Sequence, residues 1–161
     1  MRPVLIATAS NLVAVVSGVW LGEHVGGPYG LLLGVVVACS LAFISARTLW
    51  RTSSAGALAM AMMTLVVFAL PWAAGASEST LAFNECETHG ERVREALARY
   101  RDKHHEFPAR LSDLSMHLPG ELIFPPHFLK YERTSTGYTL SFSDWLVTHE
   151  ASDQRAFLAN K

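Results

Sequence analysis

Three apolar stretches without a charged side chain fill the first half of this chain, at residues 3–22, 30–46 and 55–76. Each is about as long as a helix must be to cross a hydrocarbon core of roughly 30 Å at about 1.5 Å of rise per residue. A chain built this way is expected to sit in a membrane, with only its second half working in water. The expected organisation is a three-helix transmembrane region over 1–76, a connector at 77–84 and an extracytoplasmic α+β domain over 85–161.

The composition divides at the same place. Before residue 77 the only charges are Arg2, Glu23, Arg47 and Arg51, whereas the remainder carries ten Lys/Arg against thirteen Asp/Glu. That mildly acidic, mixed tail has no basic footprint for nucleic acid, so no nucleic-acid partner is expected. The two cysteines, Cys39 and Cys86, fall in different halves, and no disulfide is expected between them. The first stretch ends at Leu21-Gly22-Glu23 without a small-x-small cleavage pattern, and is read as a retained helix.

Basic residues orient the spans. Arg2 lies before the first stretch, Arg47 and Arg51 lie between the second and third, and the loop between the first two has none. Cytoplasmic loops carry the excess of Lys and Arg. The N-terminus and the second loop are therefore expected in the cytoplasm, and the tail outside it. In a bacterium this is a multi-pass inner-membrane protein with a periplasmic domain. Trp20, Tyr29, Trp50 and Trp72 lie near the span ends, where interfacial aromatics collect.

Small residues recur every four positions: Ala14, Gly18 and Gly22 in the first span, and Gly30, Gly34, Ala38, Ala42 and Ala46 in the second. That spacing places them on one helix face, where backbones can approach closely. Gly30, Gly34, Ala38, Ala14 and Gly18 are thus the candidate helix-packing residues. They serve either a partner helix or, more plainly, the packing of the three spans on one another. The spans contain no Asp, Glu, Lys, Arg or His, which argues against a proton or ion pathway.

In the tail, Asn84-Glu85-Cys86-Glu87 reads as a capping box opening a helix. Cys86, Gly90, Val93, Leu97, Tyr100 and His104 then follow at spacings of three and four, one face of a helix of about five turns. Phe107-Pro108 ends it, and a short second helix is expected to about Leu114. Beyond an irregular Pro-rich loop the period becomes two. Leu129, Tyr131 and Arg133 precede a turn at 134–137, and Tyr138, Leu140 and Phe142 follow it. Residues 145–149 are expected to continue extended, with 154–158 as a further strand. The expected fold is a helix packed on a three- or four-stranded antiparallel sheet.

The run Ala96-Leu97-Ala98-Arg99-Tyr100 through His104-His105-Glu106-Phe107-Pro108-Ala109-Arg110-Leu111-Ser112-Asp113-Leu114 resembles the globular region of type IV pilins and type II secretion pseudopilins. Leu129-Lys130-Tyr131-Glu132-Arg133 and Gly137-Tyr138-Thr139-Leu140-Ser141-Phe142 are similar to that family's sheet hairpin. The likeness covers roughly 60 residues. It implies a pilin-like fold with a role in assembly or recognition. Those pilins carry one N-terminal membrane helix, a cleavage site before it and an early Glu, whereas this chain has three apolar stretches and no such Glu.

No cofactor or metal is expected. Six histidines lie in the tail, yet adjacent His104 and His105 point in different directions on a helix and no tight ligand motif occurs. There is no nucleophile motif, and Asp144 and Glu150 have nothing fixing their separation. The expectation is a non-enzymatic protein whose partners are the lipid bilayer and another protein in the periplasm or membrane. Trp145, after the polar Ser143-Asp144 step, and Asp144 itself are the candidate protein-binding residues. Two alternatives are an immunity or inhibitor protein neutralising a toxin from the periplasmic side, and an accessory subunit of a larger membrane complex.

Overall fold

The computed structural model describes residues 2–50, 53–144 and 146–160. The chain divides into two compact units, Met1–Glu78 and Ser79–Lys161. Helices α1 (Arg2–His24) and α2 (Gly27–Leu49) belong to the first, and α3 (Ser54–His104) supplies residues to both. A 3-10 turn (Leu111–Asp113) and strands β1 (Lys130–Arg133), β2 (Tyr138–Ser143), β3 (Thr148–Ser152) and β4 (Leu158–Asn160) complete the second.

In the first unit two residues suffice to turn α1 into α2. Gly27 takes φ 70, in the left-handed region, and Pro28 opens α2 where its missing N–H costs nothing. Among the described residues two helices are long and apolar enough to cross a membrane, Gly27–Arg47 and Ser54–His104. Three were expected. The third expected span, α1, is not among these two, and its side chains are described only from Thr8. Ala14, Leu21, Ala38 and Phe68 form the packed centre of this unit.

In the second unit the apolar face of α3 covers one side of the sheet. Ala82, Cys86, Val93 and Leu97 on α3 are buried, as is Gly90 between them. The sheet runs β1-β2-β3-β4 with every pair antiparallel, so this unit is α+β. Along β2, Tyr138, Leu140 and Phe142 point into the core and alternate with half-buried Thr139, Ser141 and Ser143.

The structure departs from the sequence reading in four local places. Residues 77–84 are helical, and Asn84–Glu87 lies inside α3, so no capping box starts a helix there. Hydroxyls in and after this segment donate to carbonyls of their own helix. Ser77 Oγ lies 2.7 Å from the Ala74 carbonyl, and Thr88 Oγ1 lies 2.8 Å from that of Asn84. The helix expected after Pro108 is only the three-residue 3-10 turn, closed by the Arg110 N–H donating to Asp113 Oδ2 at 3.0 Å. Asp144, Leu146 and Val147 are not in a continuing strand, and β3 starts only at Thr148, after a turn that the Asp144 N–H closes on the Val147 carbonyl. The further strand expected at 154–158 is instead Leu158–Asn160.

Candidate functional site

The small residues of the first unit sit at its tightest contacts. A Cβ on Gly18 would stand 2.8 Å from the Phe68 carbonyl oxygen. One on Gly22 would meet the Trp72 carbonyl, and one on Gly75 would meet that of Val19. Gly34 faces the Trp72 and Phe68 rings, while a Cβ on Gly30 would strike the Val25 carbonyl of the preceding turn. Ala14 and Ala38 are buried in the packed centre. All five candidate packing residues therefore lie against other parts of this same unit.

A polar contact joins the three helices, and the sequence reading did not single it out. Thr64 Oγ1 of α3 lies 3.0 Å from Asn11 Oδ1 of α1 and 3.2 Å from Ser45 Oγ of α2, and Thr64 and Ser45 are fully buried. It also lies 2.9 Å from the Met60 carbonyl. One hydroxyl proton serves one acceptor at a time, so the Ser45 hydroxyl can donate back to Thr64. Buried groups of this kind fix helix register, because slipping leaves them unpaired in an apolar medium.

In the second unit, Asp144 is exposed and closes the β2–β3 turn. Its Oδ1 accepts the N–H groups of Leu146 at 2.8 Å and Val147 at 2.6 Å, and its own N–H donates to the Val147 carbonyl at 3.1 Å. Trp145 lies outside the described residues. Leu146 beside it is largely exposed, an apolar side chain at the same turn. The other aromatics of the hairpin face the core. Tyr138 and Phe142 are buried, and the Tyr131 hydroxyl donates to the Pro108 carbonyl at 2.7 Å. Burial raises the pKa of both tyrosines, against the nearby Arg133 for Tyr131 and Arg94 for Tyr138.

Arg94 and Phe157 tie the helix to the end of the sheet. Arg94 donates through Nε at 3.2 Å and one Nη at 3.0 Å to the Ser152 carbonyl, and through its other Nη to Glu91 at 2.7 Å. Glu91 in turn accepts the Phe157 N–H at 3.3 Å. The Phe157 ring lies over Gly90, where a Cβ would stand 2.7 Å from Cε2. A glycine in a helix face hints at such a close approach, but what approaches is 67 residues away and carries no local signal.

Cys86 lies on the buried face of this helix, and its thiol is pushed up to about 12, first by burial and then by neighbouring Glu85. His149 stacks on Phe142 with ring centres 4.7 Å apart, and His104 stacks on Tyr100 at 4.3 Å. Among the described residues no three His, Cys, Asp or Glu side chains converge as a metal site.

Two grooves flank the segment after the 3-10 turn. One, of about 570 Å³, is mostly apolar, with Leu111, Leu118, Leu129 and Tyr131 in its wall and His127 and Glu121 at its edge. The other, of about 550 Å³, lies between α3 and residues 113–116. Leu114 and Met116 contribute to both. Comparison with protein-family models, curated proteins and solved structures found no match to this chain.

Proposed function

We infer that this is a non-enzymatic inner-membrane protein that holds its α+β unit outside the cytoplasm, where the unit recognises another protein. The observation that carries the reading is the joining in one chain of two kinds of unit. One contains helices apolar and long enough to cross a bilayer, and the other has its own closed core. With α1 as a third crossing, Arg2, Arg47 and Arg51 fall on one side and the second unit on the other, as the distribution of basic residues favours. A long helix laid on an antiparallel meander is the arrangement that the pilin resemblance implies, which supports a pilin-like reading of the unit. Of the two carboxylates weighed as a pair, Asp144 and Glu150, the first closes a turn through the Leu146 and Val147 N–H groups.

The test has two arms. Alkaline phosphatase fused after Lys161 is expected to be active, and the same enzyme inserted in the loop at 47–54 is expected to be silent. The full chain in mild detergent is expected to capture a partner that a chain ending at Glu78 does not. A reversed fusion pattern overturns the orientation, and equal capture by both chains overturns recognition through the α+β unit.

A further inference from the structure

We propose that the groove between α3 and residues 113–116 receives an extended acidic segment of the partner protein, about five residues long, with an apolar side chain near its middle. The proposal rests on the recognition reading above and names the surface and the chemistry that recognition uses.

The basic residues of α3 are interleaved with acidic ones in the sequence, but the helix sorts them. At about 100° per residue, positions 92, 99 and 103 fall within about 40° of arc. Arg92, Arg99 and Lys103 accordingly line one groove, with His104 at its end. This basic stripe stands on a unit whose overall balance is acidic, twelve Asp/Glu against ten Lys/Arg from Ser79 onward.

The two carboxylates in the groove, Glu95 and Asp113, offset its three cations only in part. Glu95 lies 3.8 Å from Arg99, with both side chains about 70% exposed (68% and 72%), a loose pair that solvent screens. Asp113 is held by the backbone N–H of Arg110. Among the described residues no carboxylate stands within ion-pair distance of Arg92 or Lys103. Their charges face the groove without a partner, which is the charge complementarity an acidic ligand satisfies.

The floor between the cations is apolar. Half-buried Tyr100 and Met116 and buried Leu114 lie there. Arg92 and Lys103 are eleven residues apart, about 16 Å along the helix, which an extended chain spans in about five residues at roughly 3.3 Å each. A segment with carboxylates at both ends and a leucine or phenylalanine between them fits that spacing. An anionic lipid headgroup or free phosphate satisfies one cation cluster but does not span both ends of the stripe.

The experiment uses the full chain in a non-ionic detergent and three fluorescein-labelled six-residue peptides. One is acidic at both ends with a central leucine, one has serine in place of the leucine, and one has lysine in place of the acids. Fluorescence anisotropy is expected to show binding of the first. Weaker binding is expected for the second and none for the third. The double variant Arg92→Glu with Lys103→Glu should weaken the first by about tenfold or more, since two attractions become repulsions. Both residues are exposed, so circular dichroism should be unchanged. Raising the salt should weaken the native complex and, by screening the repulsion, not weaken that of the variant.

Absent binding, or equal binding by native and double-variant chains, overturns the proposal. Displacement of the acidic peptide by dioctanoyl phosphatidylglycerol or inorganic phosphate at equal concentration reassigns the groove to an anion and also overturns it. Partner capture by the full chain that survives the charge reversal would overturn the groove alone and leave recognition by the unit standing.

Discussion

Replacing Gly90 by alanine sets two physical effects of opposite sign against each other, and the structure decides which wins. Inside a helix, alanine is favoured over glycine by about 1 kcal/mol. Here the added methyl would stand 2.7 Å from Cε2 and 3.2 Å from Cζ of Phe157, where ordinary contact begins near 3.4 Å. The ring cannot simply swing away. It packs on Phe142 with centres 5.2 Å apart, and its backbone N–H donates to Glu91. Overpacking of this kind costs about 1–3 kcal/mol. Gly90→Ala should therefore destabilise by about 1 kcal/mol net. Phe157→Ala, removing a half-buried ring, should cost about 2–3 kcal/mol. In the Phe157→Ala background the clash is gone, and Gly90→Ala should now stabilise by about 1 kcal/mol. The assay is urea unfolding of Ser79–Lys161 produced alone, followed by circular dichroism. Its core residues all lie within that span, so it is expected to unfold cooperatively. If Gly90→Ala shifts the midpoint in the same direction in both backgrounds, the ring does not lie on Gly90 and the reasoning fails.

Three further outcomes are expected. The unfolded Cys86 thiol ionises near its ordinary value of 9.0 while the folded one stays neutral to about 12, so stability is intact below pH 9 and falls as pH rises toward 12. Urea midpoints should show a smaller fall in Cys86→Ala, and an equal fall in both would refute the assignment. Asp144→Ala leaves the Leu146 and Val147 N–H groups without their acceptor and should cost about 1 kcal/mol, which Asn at the same position should largely restore. Thr64→Val should lower the thermal stability of the full chain in detergent by about 1 kcal/mol. Leu12→Ala, at a largely exposed position of α1, should change it little, and the reverse order would show that the Asn11–Ser45–Thr64 contact holds no register.

The parts of the fold legible in the sequence are those where burial repeats at a fixed period. Cys86, Gly90, Val93 and Leu97 recur at three and four because one face of α3 is covered, and Tyr138, Leu140 and Phe142 recur at two because one face of β2 is. The beginning of that helix was hidden. Ser77, Glu78, Ser79 and Thr80 look like a cap and linker, but Ala82 and Phe83 are already committed to packing, with Phe83 against Phe128, Phe142 and His149. Strand β3 was legible only at its start, within the extended stretch expected at 145–149, and its remainder was hidden for a different reason. Thr148-His149-Glu150-Ala151-Ser152 has one fully buried residue, and it is a strand because β2 pairs with it, Leu140 opposite Ala151 and Phe142 opposite His149. In the first unit the four-residue spacing of Ala14, Gly18, Gly34 and Ala38 announced close packing. The partners, Phe68 and Trp72 on α3, could not be read from spacing alone.

The basic groove shows why a charge count misleads about a surface. Along α3 the order Glu91, Arg92, Arg94, Glu95, Arg99, Arg101, Asp102, Lys103 alternates in sign closely enough to look like an ordinary solvated helix. Folding removes some of these charges from competition. Arg94 turns to the Ser152 carbonyl and Glu91, and Arg101 lies 5.3 Å from the centre of the Phe107 ring. What remains toward residues 113–116 is a stripe with more positive than negative charge, over a floor containing Tyr100, Leu114 and Met116. The asymmetry depends on the segment after Pro108 folding back along α3. That return is held by the Tyr131 hydroxyl on the Pro108 carbonyl and by Arg133 Nη2 on Glu106 at 3.0 Å. The hairpin thereby fixes the far wall of a groove whose charges all come from the helix and the turn, so hairpin substitutions that spare the core should alter recognition without touching a charged residue of the groove.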